Sequence, residues 1–581
     1  MKRVAVFTQV KDAAMAIEKL RTLGLLHVEH QRLPQSAEIT SLQEDIALLT
    51  QVVGILSVPD RRSCPTREQE KLHDWKQSAR HIVDAHKRLD QLGEYSQSLN
   101  NRIHEWKIWG EFEPELISSF AAKNIFIKLY QIPVNALAKV LKEFVVNTVA
   151  VKGGIAYCAV VSRQNVDLAF KEVILPKMSL AKMRQRLSQD KKIMDDIQKD
   201  LRKHSCFIRS FVEAKKTLCA ELEFFQVIKG MGEAGSIMYV AGYTPHDKIE
   251  VLKQAAKSQH WGIFVRDPLE EENPPTLIRN PRWIELINPV FKLLEIVPGY
   301  RELDISPFFL IFLSLFFGMI IGDAGYGAVY FLFALFLYQR LKNRAPDKRI
   351  FFLLYLFSSC AIFWGLLTGT VFGQEWYLRV GGKPFLPVLN NTAFLQALCF
   401  FLGAFHLSLG HIWQAARKLP SLVALSDVGW ICVLWSAFFV AKTLILDEPF
   451  PYFGTWLIAA GLILVVFFSN PQRNIFKAIA SGLGTVALSL MNNFTDVVSY
   501  IRLFAIGLAG VAIADTVNTL AAGLGSGAIF GKILIVFLGH TINIVLGPMS
   551  VLVHGIRLNV LEFSSHAGLS WGGITYKPLK A

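Results

Sequence analysis

Apolar and polar positions follow two different periods in the first part of the chain. Residues 4–7 and 25–29 have the pattern of short strands, and between them residues 11–23 repeat their apolar positions at helical spacing. A similar strand–helix–strand pattern recurs from residue 125 to residue 161. Strand-like runs that alternate with a helical period are typical of small α/β units. The pattern therefore predicts two small α/β lobes.

Two long stretches of the same part of the chain have the spacing of a coiled coil. Over residues 180–225 the apolar positions are separated by alternating steps of three and four, with Asp190 among the polar interruptions. A seam of about 45 residues corresponds to a helix of roughly 70 Å, at 1.5 Å per residue. A second seam over residues 72–106 is a suitable partner. We predict an antiparallel coiled coil of residues 38–106 and 178–225, which would serve as a lever rather than as a catalytic element.

The rest of the chain is a series of apolar runs. They cover residues 306–338, 350–372, 392–413, 425–446, 452–469, 482–522 and 528–563. A helix crosses a hydrocarbon core of about 30 Å with about 20 residues, so each run is a candidate membrane span. The first run is interrupted by a glycine-rich segment around Asp323, which would divide it into a hairpin of two short helices.

Basic loops distinguish seven crossings from eight. Residues 339–349 carry five Lys and Arg residues, and such residues are concentrated in cytoplasmic loops. This loop is cytoplasmic only if the first run is a hairpin. Arg417 and Lys418 then also lie on the cytoplasmic side, and the acidic loop at residues 447–448 lies outside. We therefore predict about eight transmembrane helices, with both termini in the cytoplasm.

Composition agrees with a division of the chain near residue 290. Most charged residues lie before residue 280 or so, and most of the 42 Phe residues lie after it. The formal net charge of +14 is then explained by a solvated arm and by membrane topology, and we expect no nucleic-acid partner. The predicted fold is an α+β cytoplasmic arm (1–290), with two small α/β lobes joined by a long antiparallel coiled coil, followed by an all-α polytopic membrane domain (291–581).

Two arginines, Arg502 and Arg557, lie inside the last apolar runs. A charge at the bilayer centre costs ~2.5–3.5 kcal/mol on insertion scales, so such residues are functional candidates. Neither arginine has an acidic residue three or four positions away, and Glu562 lies five positions after Arg557. We therefore expect each arginine to be balanced by a carboxylate or a water-filled cavity supplied by another element, such as another subunit. The alternative is an arginine whose charged end reaches the membrane interface.

Other polar residues in the apolar runs give a weaker signal. Asp323 is compatible with a hairpin cap and, equally, with an ion ligand. The five-residue separation of His406 and His411 favours helix–helix hydrogen bonds over a shared metal, and Asp427 has the position of an N-terminal helix anchor. A further set on the last two runs would together line hydrated half-paths for a proton or a sodium ion, although each residue alone is more often a packing hydrogen bond. These residues are Asp496, Asp515, Asn518, His540, Asn543 and His554.

The chain lacks the sequence patterns of nucleotide and metal sites. The closest approach to a phosphate-binding loop, residues 525–533, has the wrong spacing and no hydroxyl after Lys532. No two of the seven cysteines form a C-x-x-C pair, so we expect neither a zinc site nor a disulfide framework. We predict no catalytic residue, no metal and no cofactor. The first residues contain no apolar core of a signal peptide, so we expect the arm to stay in the cytoplasm.

Four segments of the second half carry sequence motifs. Residues 274–280 read PPTLIRN, residues 316–327 read FFGMIIGDAGYG, residues 499–503 read SYIRL, and residues 554–558 read HGIRL and are followed by Glu562-Phe563. In this order they resemble the pre-membrane segment, the first membrane hairpin, the SY-x-RL segment and the closing H-x-x-RL…EF segment of one family. That family is the large membrane subunit of rotary V-type ATPases, called subunit a or subunit I. Residues 240–245 are a loose version of its GWVP step.

The resemblance implies a static, non-catalytic subunit of a rotary ATPase or ATP synthase. In the family, the residue matching Arg502 faces a rotating ring of small subunits that carry membrane carboxylates, and the residue matching Arg557 supports the same site. Ser499, His554 and Glu562 fall in the same motifs. The resemblance also implies two offset half-channels for protons or sodium ions. The implied partners are the ring, the peripheral stalks docked by the arm, the central-stalk cap subunit and the soluble ATPase sector.

The sequence departs from the family in three places. Residues 507–510 and 545–547 are apolar or glycine where some members carry acidic or histidine residues, and residues 564–578 lack the aromatic KFY run. The chain is shorter than eukaryotic members, which favours a prokaryotic origin and therefore a prokaryotic inner membrane.

Two other functions compete with this interpretation. A stand-alone secondary ion transporter with a cytoplasmic regulatory arm predicts inverted repeats in the membrane half, and no convincing repeat relates residues 306–446 to residues 452–563. A membrane-tethered coiled-coil scaffold predicts that both Arg502 and Arg557 tolerate replacement by alanine.

Overall fold

The structure, a computed structural model, describes residues 1–57, 74–342, 347–375, 386–469, 486, 489–525 and 528–580. Two compact units are present. The N-terminal unit consists of Ala5–Gly242, Ala256–Ile263 and Leu579–Ala581. The C-terminal unit consists of Met1–Val4, Tyr243–Ala255 and Phe264–Pro578. Residues 264–290 thus belong with the apolar helices that follow them.

The first 294 residues contain strands and helices. The strands are β1 (Lys2–Gln9), β2 (His27–Glu29), β3 (Phe126–Pro133), β4 (Val145–Lys152), β5 (Ile155–Ser162), β6 (Lys171–Val173), β7 (Gly232–Ala234), β8 (Ile237–Thr244) and β9 (Gly262–Arg266). The helices are α1 (Ala13–Leu23), α2 (Ala37–Ser57), α3 (Trp75–Trp106), α4 (Pro114–Ala121), α5 (Val134–Glu143), α6 (Leu180–His204), α7 (Ile208–Lys229), α8 (Ile249–Ser258) and α9 (Asn288–Leu294). The strand–helix–strand pattern predicted near residue 4 and again near residue 125 is confirmed.

A five-stranded sheet has the strand order β2-β8-β1-β9, with β7 paired to β8. Alternate residues of β1, Val4 and Val6, are fully buried, as expected for a strand with one covered face. Helix α1 buries Ile17 and Leu20 on one side and ends at Gly24. The φ of +64° at this glycine is the left-handed conformation that closes many helices.

A four-stranded antiparallel sheet has the order β4-β5-β3-β6. Strands β3 and β5 pair over their full length, from Phe126 opposite Ser162 to Pro133 opposite Ile155. Helix α5 adds Val140 to the core of this lobe. The buried members of that core are Tyr130, Ile132, Val140, Ala156, Cys158 and Val160.

Helices α2 and α3 pack against α7 and α6 in antiparallel order. The C-terminal part of α3 places Leu99 in one cluster with Leu180, near the start of α6. The N-terminal part of α3 places Ile82 in a second cluster with Leu201, near the end of α6, and with Phe211 of α7. This is the direction expected for the predicted pair of seams. Knobs-into-holes packing along the pair stays a prediction.

Three features of these helices differ from expectation. Residues 178–225 are not one helix, because a 3-10 turn at Ser205–Phe207 separates α6 from α7. Asp190, a polar interruption of the predicted seam, is fully buried, and Nε of Arg186, one turn earlier, lies 3.1 Å from its carboxylate. Cys206 is disulfide-bonded, although the cysteine spacing predicts no disulfide framework.

The C-terminal unit is built mainly from apolar helices. They are α10 (Ser306–Ile321), α11 (Ala324–Leu341), α12 (Arg349–Thr368), α13 (Thr392–Lys418), α14 (Ala424–Leu446), α15 (Tyr452–Phe468), α16 (Ile501–Gly523) and α17 (Ile529–Ser550). A short polar helix, α18 (Ser564–Ala567), lies near the end of the unit. Two π-helical segments, Val551–Gly555 and Leu558–Phe563, follow α17. A helical segment at residues 489–499 precedes α16. Two short strands, β10 (Thr370–Val371) and β11 (Gln374–Glu375), pair after α12.

The predicted hairpin around Asp323 is present. Helix α10 ends at Gly322, which has a φ of +64°, and α11 begins at Ala324. A Cβ atom on Gly365 of α12 would overlap the backbone nitrogen of Ala324. Helix α12 therefore packs directly against the turn, as small residues at helix contacts allow.

Six helices of the described residues are long and apolar enough to cross a membrane. They are Ala37–Ser57, Arg349–Thr368, Thr392–Lys418, Ala424–Leu446, Ser489–Gly523 and Ile529–Ala567. The first of them is α2, whose buried apolar residues contact α7, and α10 and α15 are shorter apolar helices. The C-terminal region is thus helical with candidate membrane spans, whereas the count of eight crossings stays a prediction. The beginning of the predicted run at 482–522 lies outside the described residues.

One buried cluster joins most helices of the C-terminal unit. Its largest fully buried side chains are Phe309, Phe316, Phe400, Tyr500 and Phe563. They come from α10, from α13 and from the two arginine-bearing segments. The cluster therefore fixes the segments that carry Arg502 and Glu562 against the first hairpin helix.

The motif at residues 274–280 holds the C-terminal tail. The backbone nitrogen of Thr276 donates to the carbonyl of Ile574 at 2.7 Å, and the nitrogen of Tyr576 donates back to Thr276 at 3.1 Å. Arg279 donates to the carboxylate of Asp247 at 3.0 Å. The hydrogen bond from this guanidinium lowers the pKa of Asp247. The motif thus has a structural role that its sequence does not reveal.

Candidate functional site

Two arginines share one buried carboxylate in the C-terminal unit. Nη2 of Arg502, on α16, lies 3.1 Å from Oε1 of Glu562, and Nε of Arg557 lies 3.4 Å from the same oxygen. The Glu562 side chain is 4% exposed, against 23% for Arg502 and 53% for Arg557. A carboxylate this deeply buried is stable in its ionised form only when it is paired. The pair of guanidinium groups supplies that compensation.

The helix type explains how Arg557 reaches Glu562. The expectation that Arg557 has no partner in its own helix assumed α-helical spacing, and it is wrong. Residues Leu558–Phe563 form a π-helix, in which hydrogen bonds join residues i and i+5 and bring side chains five apart onto one side. Arg502 is balanced, as expected, by a carboxylate from another element of the chain.

The cluster is not fully satisfied within the described residues. Nη1 of Arg502 and Oε2 of Glu562 are buried and have no hydrogen-bond partner there. Unpaired buried polar atoms are uncommon, and each requires an explanation. Two guanidinium groups and one carboxylate leave one positive charge, since an arginine stays protonated at any accessible pH. The cluster can therefore accept one further anionic group.

Five polar side chains form a continuous chain at one end of the apolar helices. Oδ2 of Asp496 lies 3.0 Å from Nε2 of His566, and Nδ1 of His566 lies 2.9 Å from Nε2 of His411. Nδ1 of His411 lies 3.5 Å from Asp427, whose second oxygen accepts a hydrogen bond from Nζ of Lys418 at 2.7 Å. One of the two facing imidazole nitrogens must carry a proton, so the contact can pass a proton between the rings.

The sequence identified only some of the five side chains in this hydrogen-bonded series. Asp496, His411 and Asp427 were separate candidates, and the structure brings them together. His566 and Lys418 were missed. His566 lies in the four-residue helix α18, beyond the last apolar run, and no sequence spacing relates it to a histidine 155 positions earlier.

A second polar group lies on the first hairpin and the last two long helices. The hydroxyl of Tyr326 lies 2.6 Å from Nδ1 of His540, and Nε2 of His540 lies 3.1 Å from Oδ1 of Asn518. Nδ2 of Asn543 donates to the carbonyl of Gly510 at 2.8 Å. His540, Asn518 and Asn543 were candidates from the sequence, whereas Tyr326 was missed because a tyrosine in an apolar run is inconspicuous.

Asp323 is a cap of the hairpin. Its carboxylate accepts hydrogen bonds from the backbone nitrogens of Tyr326 at 3.0 Å, Phe372 at 2.9 Å and Gly373 at 2.7 Å. The residue is fully buried. Three backbone donors satisfy most of the capacity of a carboxylate. The geometry favours the cap over the ion ligand, the two roles that the sequence left open.

His406 lies apart from the polar chain, in an aromatic sandwich. Its ring stacks on Phe312 at 3.7 Å and on Phe563 at 4.2 Å between centroids. Its Nδ1 lies 2.8 Å from the hydroxyl of Tyr500. This hydrogen bond joins α13 to the segment that carries Arg502.

Three candidates remain outside both polar groups, as far as the described residues extend. Ser499 lies one turn before Arg502 on the same segment, and His554 lies one turn before Arg557 with a buried Nδ1 that has no partner there. Asp515 is exposed on α16.

A cavity of about 160 Å³ is lined in part by residues that follow Arg502 on α16. Leu503 and Phe504 form part of its wall. Its polar lining consists of Thr368, Thr370, Glu375, Asn390 and Thr392. These residues lie at the end of α12, in the connection after it, or at the start of α13, so the cavity lies between that connection and the helical turn that follows Arg502.

Comparison with known proteins relates the chain to subunits of ATP synthases. No family model matches it. A solved structure, the cytoplasmic N-terminal domain of subunit I, homolog of subunit a, of V-ATPase, aligns with 46% of this chain and 100% of that one, at 17% identity and a TM-score of 0.23. That score is too low to support an argument about the fold.

Curated relatives extend over the whole chain. V-type ATP synthase subunit I 1 of Treponema pallidum is 30% identical over 620 residues, which cover 100% of this chain and 99% of the relative. V-type ATP synthase subunit I of Borreliella burgdorferi is 29% identical over 616 residues, with the same coverage. A-type ATP synthase subunit I of Methanocaldococcus jannaschii is 24% identical over 423 residues, which cover 63% of this chain and 59% of that protein. With a full-length relative at this identity and a C-terminal half of apolar helices, the chain is a membrane protein that belongs to the V-type ATP synthase subunit I family.

Proposed function

We propose that this chain is the static membrane subunit against which a ring of small subunits rotates, each with a carboxylate in the membrane. The observation that carries the proposal is the arginine cluster. Arg502 and Arg557 share the buried Glu562 and retain one positive charge. Exposed apolar side chains surround it, with Leu552, Val553 and Leu561 on the Arg557 segment each about half exposed. This is the surface that a ring of apolar helices with single carboxylates would cover.

The proposed mechanism follows from the chemistry of arginine. A ring carboxylate that approaches Arg502 is stabilised without its bound cation, so it releases the proton or sodium ion that it carries. The same positive charge repels free cations and prevents them from passing straight from one side to the other. Each ring carboxylate must therefore travel around the ring before it binds an ion again, which couples ion flow to rotation.

The two polar groups would serve as the two half-channels. Along the helical segment, Asp496 precedes Arg502 by roughly 9 Å and Asn518 follows it by roughly 24 Å, at 1.5 Å per residue. The group that contains His411 and the group that contains His540 therefore lie on opposite sides of the arginine. The cavity beside Leu503 supports an aqueous path on the Asn518 side. Whether the ion is a proton or sodium depends on the ring.

The proposed topology has eight crossings and both termini in the cytoplasm. The hairpin of α10 and α11 supports it, because two short helices return the basic end of α11 to the side from which α10 starts. Helices α12–α15 and the two arginine-bearing segments complete the count. Asp496 and His566 would then lie on the cytoplasmic side of Arg502, in a prokaryotic inner membrane.

The N-terminal unit would serve as the stator arm. Its antiparallel helices α3 and α6 place β3 and β5 at one end of the pair, since Leu129 of β3 shares a cluster with Leu99 and Leu180. A long helical pair with a lobe suits a lever that resists torque. We propose that it docks the peripheral stalks, beside the central-stalk cap subunit and the soluble ATPase sector, and that catalysis resides in that sector.

Purification of the complex tests this function. We expect the affinity-tagged chain to copurify with a small membrane protein that has a carboxylate in a membrane helix, and with ATPase subunits. A cysteine at Leu561, which is 57% exposed, should cross-link to that small protein. A cysteine at Phe453, 64% exposed on α15, is the control that should not. A chain that purifies alone and still transports ions would contradict the proposal.

A further inference from the structure

We propose that Glu562 sets the charge of the arginine cluster to one, so that the cluster accepts a single ring carboxylate at a time. This inference rests on the proposed function and concerns a positioning residue for it. It says that the subunit carries its own internal counter-ion, and that the net charge of the cluster matters as well as the presence of Arg502.

The pairing geometry indicates that Glu562 is a permanent part of the cluster. Its side chain is 4% exposed, and a single oxygen, Oε1, is shared by both arginines. The π-helix holds Arg557 on the same side as Glu562. A carboxylate that is buried and paired in this way neutralises one of the two positive charges.

The atoms left unpaired indicate where a second carboxylate would bind. Nη1 of Arg502 is buried and has no hydrogen-bond partner among the described residues. Arg557 is half exposed at the same cluster. A ring carboxylate that arrives at this surface would meet the half-exposed Arg557 and one uncompensated positive charge, which is the requirement for binding one anion.

No other ionisable group near the arginines, among the described residues, supplies a negative charge to the cluster. His554 lies one turn before Arg557, and an imidazole is either neutral or cationic. Asp496 is six residues before Arg502, and its carboxylate lies 3.0 Å from His566. Within the described residues, Glu562 is therefore the carboxylate that balances the arginines.

The charge balance predicts opposite faults for two single substitutions. Arg557→Gln leaves Arg502 neutralised by Glu562, so the cluster no longer attracts a ring carboxylate. Glu562→Gln leaves two positive charges, so a ring carboxylate is held too strongly to leave. The double variant R557Q/E562Q has one guanidinium and no carboxylate, and its net charge equals that of the original cluster.

The test asks whether adding Glu562→Gln restores the ion transport that Arg557→Gln removes, in the reconstituted whole complex. We expect R557Q to lower the initial rate of ATP-driven ion uptake by about tenfold or more, and R557Q/E562Q to recover to within about threefold of the original rate. A second charge removal far from the cluster is the control. Glu448, paired with Lys442 on the loop after α14, should give R557Q/E448Q the same low rate as R557Q.

The comparison between R557Q and R557Q/E562Q decides the inference, even if E562Q alone does not assemble. A double variant no faster than R557Q would overturn it, and so would recovery in R557Q/E448Q. Arg502→Gln tests the proposed function separately, because it removes the central arginine and does not depend on how Glu562 balances the charge of the cluster. If R502Q abolishes transport and the double variant does not recover, only the charge balance is wrong. If R502Q keeps transport, the proposed function itself is wrong.

Discussion

At the scale of single residues, the arginine cluster keeps one positive charge, because Arg502 and Arg557 share the single carboxylate of Glu562. Arg502, Arg557 and Glu562 were recognisable in the sequence because the segments around them are otherwise apolar. Their pairing was only half predictable. The α-helical period separates Arg557 from Glu562, and nothing in the composition of residues 558–563 announces a π-helix.

Asp323 provides a residue-scale prediction, because its two possible roles have different consequences. As a cap, its carboxylate holds three backbone nitrogens, so Asp323→Ala should lower the stability of the purified complex by about 1–3 kcal/mol. Asp323→Asn keeps the Oδ1 acceptor and should be less harmful. Thermal unfolding in detergent measures both.

Ion transport separates the cap from an ion ligand. Assembled D323N complex should transport ions at nearly the original rate, since a cap takes no part in transport. A large loss of transport in D323N complex that unfolds at the original temperature would show that Asp323 contacts the ion.

At the scale of elements, periodicity predicted most helices and strands. The basic residues in the loop after the first apolar run predicted that this run is a hairpin of two helices. The basic residues after α11 indicated two short helices, and α10 and α11 are separate helices on either side of Gly322. The polar chain could not be predicted in the same way. It joins α13, α14, the segment before α16 and α18, and contacts between such distant elements have no sequence period.

The close contact between α11 and α12 gives an element-scale prediction. Gly365→Val should destabilise the C-terminal unit by roughly 1–3 kcal/mol or more, because its side chain would overlap the backbone at Ala324. Gly523→Val is the matched control, since no atom lies within 4 Å of a Cβ atom at that position. Equal unfolding temperatures for the two variants in detergent would contradict the packing described here.

The polar chain gives a second element-scale prediction. His411→Ala removes the ring that links His566 to Asp427. Because the proposed proton path runs through this ring, ion uptake should fall by about tenfold or more. His104→Ala, on an exposed part of α3, is the control. An uptake rate in H411A equal to that of H104A would show that the polar side chains around His411 are not part of the ion path.

At the scale of the whole molecule, the chain forms two compact units. The sequence did not predict which unit the residues around the boundary belong to. Tyr243–Ala255 belongs to the C-terminal unit and Ala256–Ile263 to the N-terminal unit, although neither segment has a distinct composition. The terminal residues Leu579–Ala581 likewise belong to the N-terminal unit. Sequence patterns do not predict single backbone hydrogen bonds such as the one from Leu579 to Leu26.

The proposed topology gives a whole-molecule prediction. In intact cells, with the exposed Cys219 replaced by serine, an impermeant thiol reagent should label a cysteine at Asp447 without permeabilisation. A cysteine at Arg340 should be labelled only after permeabilisation, because the basic end of α11 is placed in the cytoplasm. Reversed labelling would overturn the eight-crossing topology.

The central claim is that Arg502 couples ion movement to rotation, and ATP-driven ion uptake into vesicles tests it most directly. Vesicles with the reconstituted complex carrying Arg502→Gln should show no ATP-driven uptake, while the complex still assembles. Arg340→Gln, which removes an exposed arginine from the end of α11, should leave uptake intact. Uptake by the R502Q complex at a rate comparable to R340Q would contradict the account.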